Sequence, residues 1–233
     1  MSEPVSRSPI APAPPVRVEA GWEVSGSCSD APLTITDCTP LAKVHLRAPW
    51  NGAMAKALGV PFGRASREGG GAYGASQDGP EGVWLVVGSG PGEWHVLAPP
   101  GAAAAVTDWL ATVAADAAGD EFVSMTDLTH GRALVRVTGP DAADLLARLC
   151  GADLGDDMAP DGAALRSGVA GVATDIIRDD TMIDGAGVPS YLLHCERSSG
   201  AYLFGELLAA GGEFGIEIDG FTTEGTEPPT LRT

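Results

Sequence analysis

The sequence predicts an α+β fold of antiparallel sheets with packed helices. Three observations lead there. Strand-length apolar runs are scattered along the whole chain, several stretches carry the three- and four-residue apolar step of an amphipathic helix, and one pair of runs is joined as a hairpin with no repeating strand–helix–strand period.

Taken in order, residues 1–31 hold Pro4, Pro9, Pro12, Pro14 and Pro15, with Pro32 just beyond, and almost no apolar periodicity. Proline removes backbone donors and resists helix, so this stretch reads as a mobile arm, with order starting near Leu33. Residues 43–48 alternate polar and apolar, which suits a strand with Val44, Leu46 and Ala48 facing a core and His45 on the polar face. Residues 51–58 have helical composition and stop at Gly59, before Pro61. Residues 67–82, with Gly69, Gly70 and Gly71 inside, read as a flexible loop. The runs 83–87 and 94–97 flank a glycine-rich connection and form a hairpin. Across Ala103–Ala117, the residues Val106, Trp109, Leu110, Val113, Ala114 and Ala117 lie on one helical face, and Gly119 suits the helix end.

A second strand–helix unit follows. Residues 133–137 read as a strand, Pro140 stands where a missing N–H costs nothing at a helix start, and Ala142, Leu145, Leu146 and Leu149 supply the buried face up to Gly151. Residues 172–177 and 191–195 are further strands. Residues 200–210 make a last helix, with Tyr202 or Leu203, Leu207 and Ala210 on one stripe. Two lobes result, 32–123 and 124–221. Residues 222–233, with Pro228 and Pro229, read as a flexible tail.

Composition narrows the function. With 44% hydrophobic and 19% charged residues the chain is an ordinary globular protein. Fourteen basic against 31 acidic residues give a net charge of -17, which repels nucleic acid and anionic membrane surfaces alike. The first residues show no basic segment followed by an apolar run, and no stretch is long enough to span a bilayer, so a cytoplasmic protein is expected. Cys28, Cys38, Cys150 and Cys195 are scattered without close ligand spacing and read as reduced structural thiols.

No catalytic, cofactor or metal site is expected within the chain. Gly88, Gly90 and Gly92 have the wrong spacing for a dinucleotide fingerprint and precede a strand, whereas a pyrophosphate needs a helix N-terminus. His45, His95, His130 and His194 form no i, i+4 metal pair, and His45 and His194 read as surface or groove residues. Around Asp127 and His130, either the carboxylate fixes the imidazole, or Asp127 and Thr129 bond local backbone donors in a turn. The pairs Asp156–Asp157 and Asp179–Asp180 fall in loops, where solvated charge is ordinary. No Gly-x-Ser-x-Gly elbow occurs.

The second half carries a run of recognisable pieces: residues 127–132 entering a strand, Gly139-Pro140-Asp141-Ala142 starting a helix, and Asp153-Leu154 after it. Gly92-Glu93-Trp94 in the hairpin, Arg197-Ser198 ahead of Tyr202, and the upstream Pro32-Leu33 and Leu41 complete the set. In order and spacing, over residues 31–216, they resemble the gamma-subunit family of heterotetrameric sarcosine oxidase, whose fold is similar to part of the aminomethyltransferase fold. The resemblance implies a subunit without catalytic residues, in a complex that demethylates sarcosine to glycine with tetrahydrofolate as one-carbon acceptor and oxygen reduced to peroxide. It also implies cofactors on other chains: FAD and FMN on a beta subunit, NAD and tetrahydrofolate on the alpha subunit, zinc on a delta subunit. Alpha is then the principal partner, and Asp127, His130, Arg132, Arg136 and Arg197 are the candidate interface, since arginine pairs bidentately with carboxylates across interfaces. A related oxidase of another secondary amine, or a stand-alone folate-binding module, are the alternatives. The chain departs from the family in its proline-rich start and its acidity.

Overall fold

The alternation read from the sequence becomes strands that pair almost entirely antiparallel. A computed structural model describes residues 4–67, 84–183 and 185–223. In chain order the first elements are β1 (Ser6–Arg7), β2 (Val16–Glu19), β3 (Trp22–Ser25), β4 (Thr34–Asp37), β5 (Ala42–Arg47), α1 (Ala53–Leu58) and β6 (Ala65–Ser66). Then come β7 (Leu85–Gly90), β8 (Glu93–Ala98), α2 (Ala103–Ala117), β9 (Ser124–Asp127), β10 (Arg132–Thr138) and α3 (Ala142–Ala147). The last are β11 (Ala164–Val169), β12 (Val172–Arg178), β13 (Thr181–Ile183), β14 (Ala186–Val188), β15 (Ser190–Glu196), α4 (Gly200–Gly211) and β16 (Glu217–Ile218). Among the described residues two pairings are parallel, β1 with β3 and β4 with β16, and each is two residues long. Among the described residues no helix is long and apolar enough to cross a membrane.

Two compact units result. The expected lobes, 32–123 and 124–221, were consecutive in sequence. Instead, Leu41–Thr129 forms one unit inserted between the two parts of the other, Met1–Pro40 and His130–Phe221. They are called here the inserted and the flanking lobe.

In the inserted lobe the strand order is β6-β7-β8-β5-β9. Val44 and Leu46 of β5, Trp94 and Val96 of β8, and Val106, Leu110 and Val113 of α2 form one apolar core with Met54 and Leu58 of α1. Burying a leucine such as Leu110 fully stabilises the lobe by roughly 2–3 kcal/mol. The helix α1 ends as the sequence suggests, with Gly59 left-handed at φ 66°. Its start has no cap of its own. The Glu121 carboxylate, 68 residues on, accepts from the backbone N–H of Ala53 at 2.6 Å and of Met54 at 3.1 Å. Lys43, expected on a polar face, is fully buried, its ammonium donating to the carbonyls of Leu41 at 2.7 Å and Thr129 at 3.3 Å. At the hairpin, a Cβ on Gly88 would meet the Pro61 carbonyl at 2.2 Å, so glycine is required for backbone packing there.

In the flanking lobe the strand order is β11-β12-β15-β10-β4-β16. Ala133, Val135 and Val137 of β10 and Tyr191, Leu193 and Cys195 of β15 share a core with Leu145 and Leu146 of α3 and Leu203 and Leu207 of α4. The turn between β10 and α3 depends on Gly139, at φ 146°, where a side chain would strike the Pro32 carbonyl at 2.2 Å.

The stretch expected to be a mobile arm is instead a three-stranded sheet, β1-β3-β2, with Trp22, Val24 and Ile10 buried. The prolines do not prevent it because Pro9, Pro12, Pro14 and Pro15 all fall between β1 and β2, where no ladder bond is lost. Arg17 ties the sheet to the far end of the lobe by donating to the Phe221 carbonyl at 2.8 Å. Most of the expected glycine-rich loop (67–82) and of the tail (222–233) lies outside the described residues.

Candidate interface residues and the charge network beneath them

Strand alternation puts Arg132, Leu134, Arg136 and Thr138 on the face of β10 away from α3 and α4. Two of these were expected at an interface. Arg136 is instead committed within the lobe. Its guanidinium meets the Asp179 carboxylate at 2.5 Å and donates to the Ser190 hydroxyl at 2.7 Å and the Asp179 carbonyl at 3.1 Å. Burial alone would weaken the charge, but Asp179, with a smaller contribution from Cys38, more than offsets it and holds Arg136 above its ordinary pKa. Arg132, at the other end of the strand, forms an open pair with Glu196 at 2.9 Å, and Glu196 is 64% exposed.

The remaining expected residues divide similarly. Asp127 accepts from the Thr129 N–H at 2.8 Å, so the turn reading holds, and its carboxylate is used locally. His130 is exposed and stacks on Trp22, ring centres 4.9 Å apart. Arg197 donates to the Arg7 carbonyl, joining α4's approach to the N-terminal sheet. Asp127 and His130 are thus exposed, Arg132 and Arg197 are half-buried, and Arg136 is the one of the five engaged with a buried carboxylate.

Of the acidic pairs expected to be solvated, Asp156 and Asp157 are exposed, whereas Asp179 and Asp180 are drawn into the fold. Arg178 donates through Nε and Nη2 to the two oxygens of Asp180, at 2.9 and 3.1 Å, and through Nη1 to Asp156 at 2.6 Å and the Ala159 carbonyl at 2.9 Å. The bonds to Asp180 raise its pKa most, and those to Asp156 add to them against the cost of burial. The Arg178 guanidinium also lies 5.6 Å from the Tyr191 ring, and the Tyr191 hydroxyl donates to the Leu154 carbonyl at 2.8 Å. Burial raises the Tyr191 pKa, and Arg178 partly counters this. A carboxylate whose oxygens are taken up by a guanidinium has little reach as a general base.

The aspartate–histidine pair considered at Asp127 and His130 occurs elsewhere. Asp175 and His194 are cross-strand partners on β12 and β15, with His194 Nδ1 3.2 Å from Asp175. His194, expected at a surface or groove, is 1% exposed. Arg166 of β11 meets the other oxygen of Asp175 at 2.5 Å, so a guanidinium, a carboxylate and an imidazole run in one row across three strands. The row orients the imidazole ring. Only the register of β12 against β15 could have disclosed it, because the two residues are 19 apart in sequence. In the inserted lobe, His45 and His95 face each other on β5 and β8, with ring centres 4.8 Å apart.

Comparison with known proteins follows the fold. The GCVT N-terminal domain family matches residues 84–226, more than half of the chain. No curated protein sequence matches. Among solved structures, heterotetrameric sarcosine oxidase from Corynebacterium sp. U-96, in complex with pyrrole 2-carboxylate, aligns with a TM-score of 0.59 at 21% identity, over 80% of this chain and 88% of that one. Glycine cleavage system aminomethyltransferase T from Bartonella henselae aligns with a TM-score of 0.63 at 16% identity, over 88% of this chain but 55% of that one. At such identities these likenesses show the fold, which is the expected α+β arrangement similar to part of an aminomethyltransferase. The family match goes further, and on it the chain belongs to the GCVT N-terminal domain family.

Proposed function

We propose that this chain is a gamma-type, non-catalytic subunit of a heterotetrameric sarcosine oxidase-like flavoenzyme. The observation that carries the reading is the two-sided alignment to the sarcosine oxidase chain, 80% of one and 88% of the other. Such shares fit two chains of similar length with one architecture over most of each, whereas the aminomethyltransferase is matched over 55% of its length. The charge network agrees with a scaffold role, because Arg136, Arg178, Asp179 and Asp180 are bonded to one another's neighbourhoods and not poised toward a substrate. In this reading the flavins, NAD, tetrahydrofolate and zinc reside on the alpha, beta and delta subunits, and the complex oxidises sarcosine or a related secondary amine. Co-expression with the neighbouring subunit genes tests it. A stable complex that consumes sarcosine, dimethylglycine or proline only when this chain is included is the expected result. An equally active, equally stable complex assembled without it removes the proposal.

The match to the GCVT N-terminal domain favours a second reading, a folate-binding module in its own right. Calorimetry of the isolated chain with tetrahydrofolate separates the two: binding by the chain alone supports the module, and no heat supports the subunit.

A further inference from the structure

We propose that the open edge of the N-terminal sheet pairs with a second copy of this chain, β2 lying antiparallel against β2. The inference concerns self-association and does not depend on the subunit reading. β2 is the last strand in the order β1-β3-β2, so it has a neighbouring strand on one side only. Its ladder shows which backbone groups are left over. The Pro15 carbonyl accepts from the Gly26 N–H at 2.7 Å, and the register continues from Val16 opposite Ser25 to Glu19 opposite Trp22. Alternation along an antiparallel pair then assigns the bonds with β3 to Arg17 and Glu19, and turns the N–H and C=O of Val16 and Val18 toward the open edge. The side chains of Val16 and Val18 share one face of the strand, about 7 Å apart. They are 53% and 59% exposed, whereas Trp22 and Val24 on the other face of the sheet are buried. Outward backbone groups beside exposed valines form a template for a further strand. Pro14 and Pro15 close the edge at one end, and Ala20 and Gly21, both at positive φ, turn the chain away at the other.

Charge selects the occupant, because Val16-Arg17-Val18-Glu19 is complementary to itself. With Val18 opposite Val18 on a two-fold axis, their outward N–H and C=O groups meet, and Arg17 of each copy stands opposite Glu19 of the other. Opposite charges facing each other across a strand pair stabilise it, and like charges weaken it. The alternative register that also brings outward groups together, Val16 opposite Val18, sets Arg17 against Arg17. Arg17 keeps donors in reserve, since Nη2 serves the Phe221 carbonyl at 2.8 Å and Nε lies 3.9 Å from Glu19 of its own chain. The net charge of -17 opposes the approach of two copies, but physiological salt screens charges separated by more than about 8 Å. A ladder of four residues is short, so the dimer is a weak one.

Sedimentation velocity on the full chain tests the pairing. The native chain is expected to pass from monomer toward dimer between roughly 5 and 500 µM. Val18→Pro removes the outward N–H at the centre of the pairing and leaves the bonds between β2 and β3 in place, so it should weaken association by about ten-fold or more. Arg17→Glu and Glu19→Arg should each weaken self-association by about five-fold, and an equimolar mixture of the two should recover it, because opposite charges face each other again. Circular dichroism establishes that each variant is folded; if Val18→Pro is not, the mixture decides. A native chain that stays monomeric throughout overturns the proposal and leaves the edge to a strand of a different protein. Undiminished association of folded Val18→Pro, or a mixture that associates no better than its components, overturns it as well.

Discussion

The inserted and flanking lobes keep their sheets in place by different means. The inserted lobe relies on an apolar core and borrows one carboxylate, Glu121, to finish a helix. The flanking lobe also has an apolar core, but carries three arginine–aspartate systems along its sheet, centred on Arg136, Arg166 and Arg178. The contrast teaches that an arginine on the polar side of a strand is not by itself a docking residue. Arg132 and Arg136 share a strand and a face, yet one pairs with an exposed glutamate and the other with an aspartate that is 5% exposed.

Removing charges should expose this difference, beginning with the most consequential. Arg178→Ala removes a guanidinium that is 6% exposed, together with its hydrogen bonds to Asp180, Asp156 and the Ala159 carbonyl, and should cost about 3 kcal/mol in urea unfolding. Arg136→Ala should cost about 3 kcal/mol, and Arg136→Met, which keeps the packing but not the charge, should be no milder unless Asp179 is changed to an apolar residue with it. Arg132→Ala should stay below about 1 kcal/mol; a cost equal to that of Arg136→Ala would erase the distinction between the two ends of the strand.

Two smaller effects depend on pH. The backbone N–H groups of Ala53 and Met54 hold Glu121 below its ordinary pKa of 4.5. Its stabilising contribution is thus present above pH 4.5 and disappears as pH falls through the lowered value. Glu121→Gln should flatten that part of the acid melting curve. Burial pushes the Cys195 thiol up to about 11 from 9.0, so the fold favours the neutral form, and that stability is present below pH 9.0 and lost as pH rises toward about 11. At pH 8, a thiol reagent should label exposed Cys28 quickly and Cys195 only on unfolding.

Where a periodic pattern had room to repeat, the sequence was easily read. The helix Ala103–Ala117 has the same bounds in both, because fifteen residues repeat the apolar step over four turns. Short edge elements were harder. β2 has four residues, with Val16 and Val18 exposed, and its proline-rich flank masked an alternation too brief to count. Arg136 escaped for another reason. Alternation assigns a residue to a face but is silent about what the face meets, and the partner Asp179 is 43 residues away. The same holds for His194, placed by its register against β12. Gly139 was legible as a turn, but its contact with Pro32 required the fold. Family membership came through the order of many weak pieces.

The interrupted course of the flanking lobe bears on synthesis at the ribosome. Its first 40 residues leave the exit tunnel early, but the strand that β4 must join, β10, is translated only after the whole of Leu41–Thr129. The intervening lobe has all its sheet strands in one continuous stretch and can close first, shortening the effective loop that the waiting segment has to bridge. Until β10 and β15 emerge, Trp22, Leu33 and Ile35 are sticky cargo on a nascent chain, and that interval is when a chaperone has most to shield.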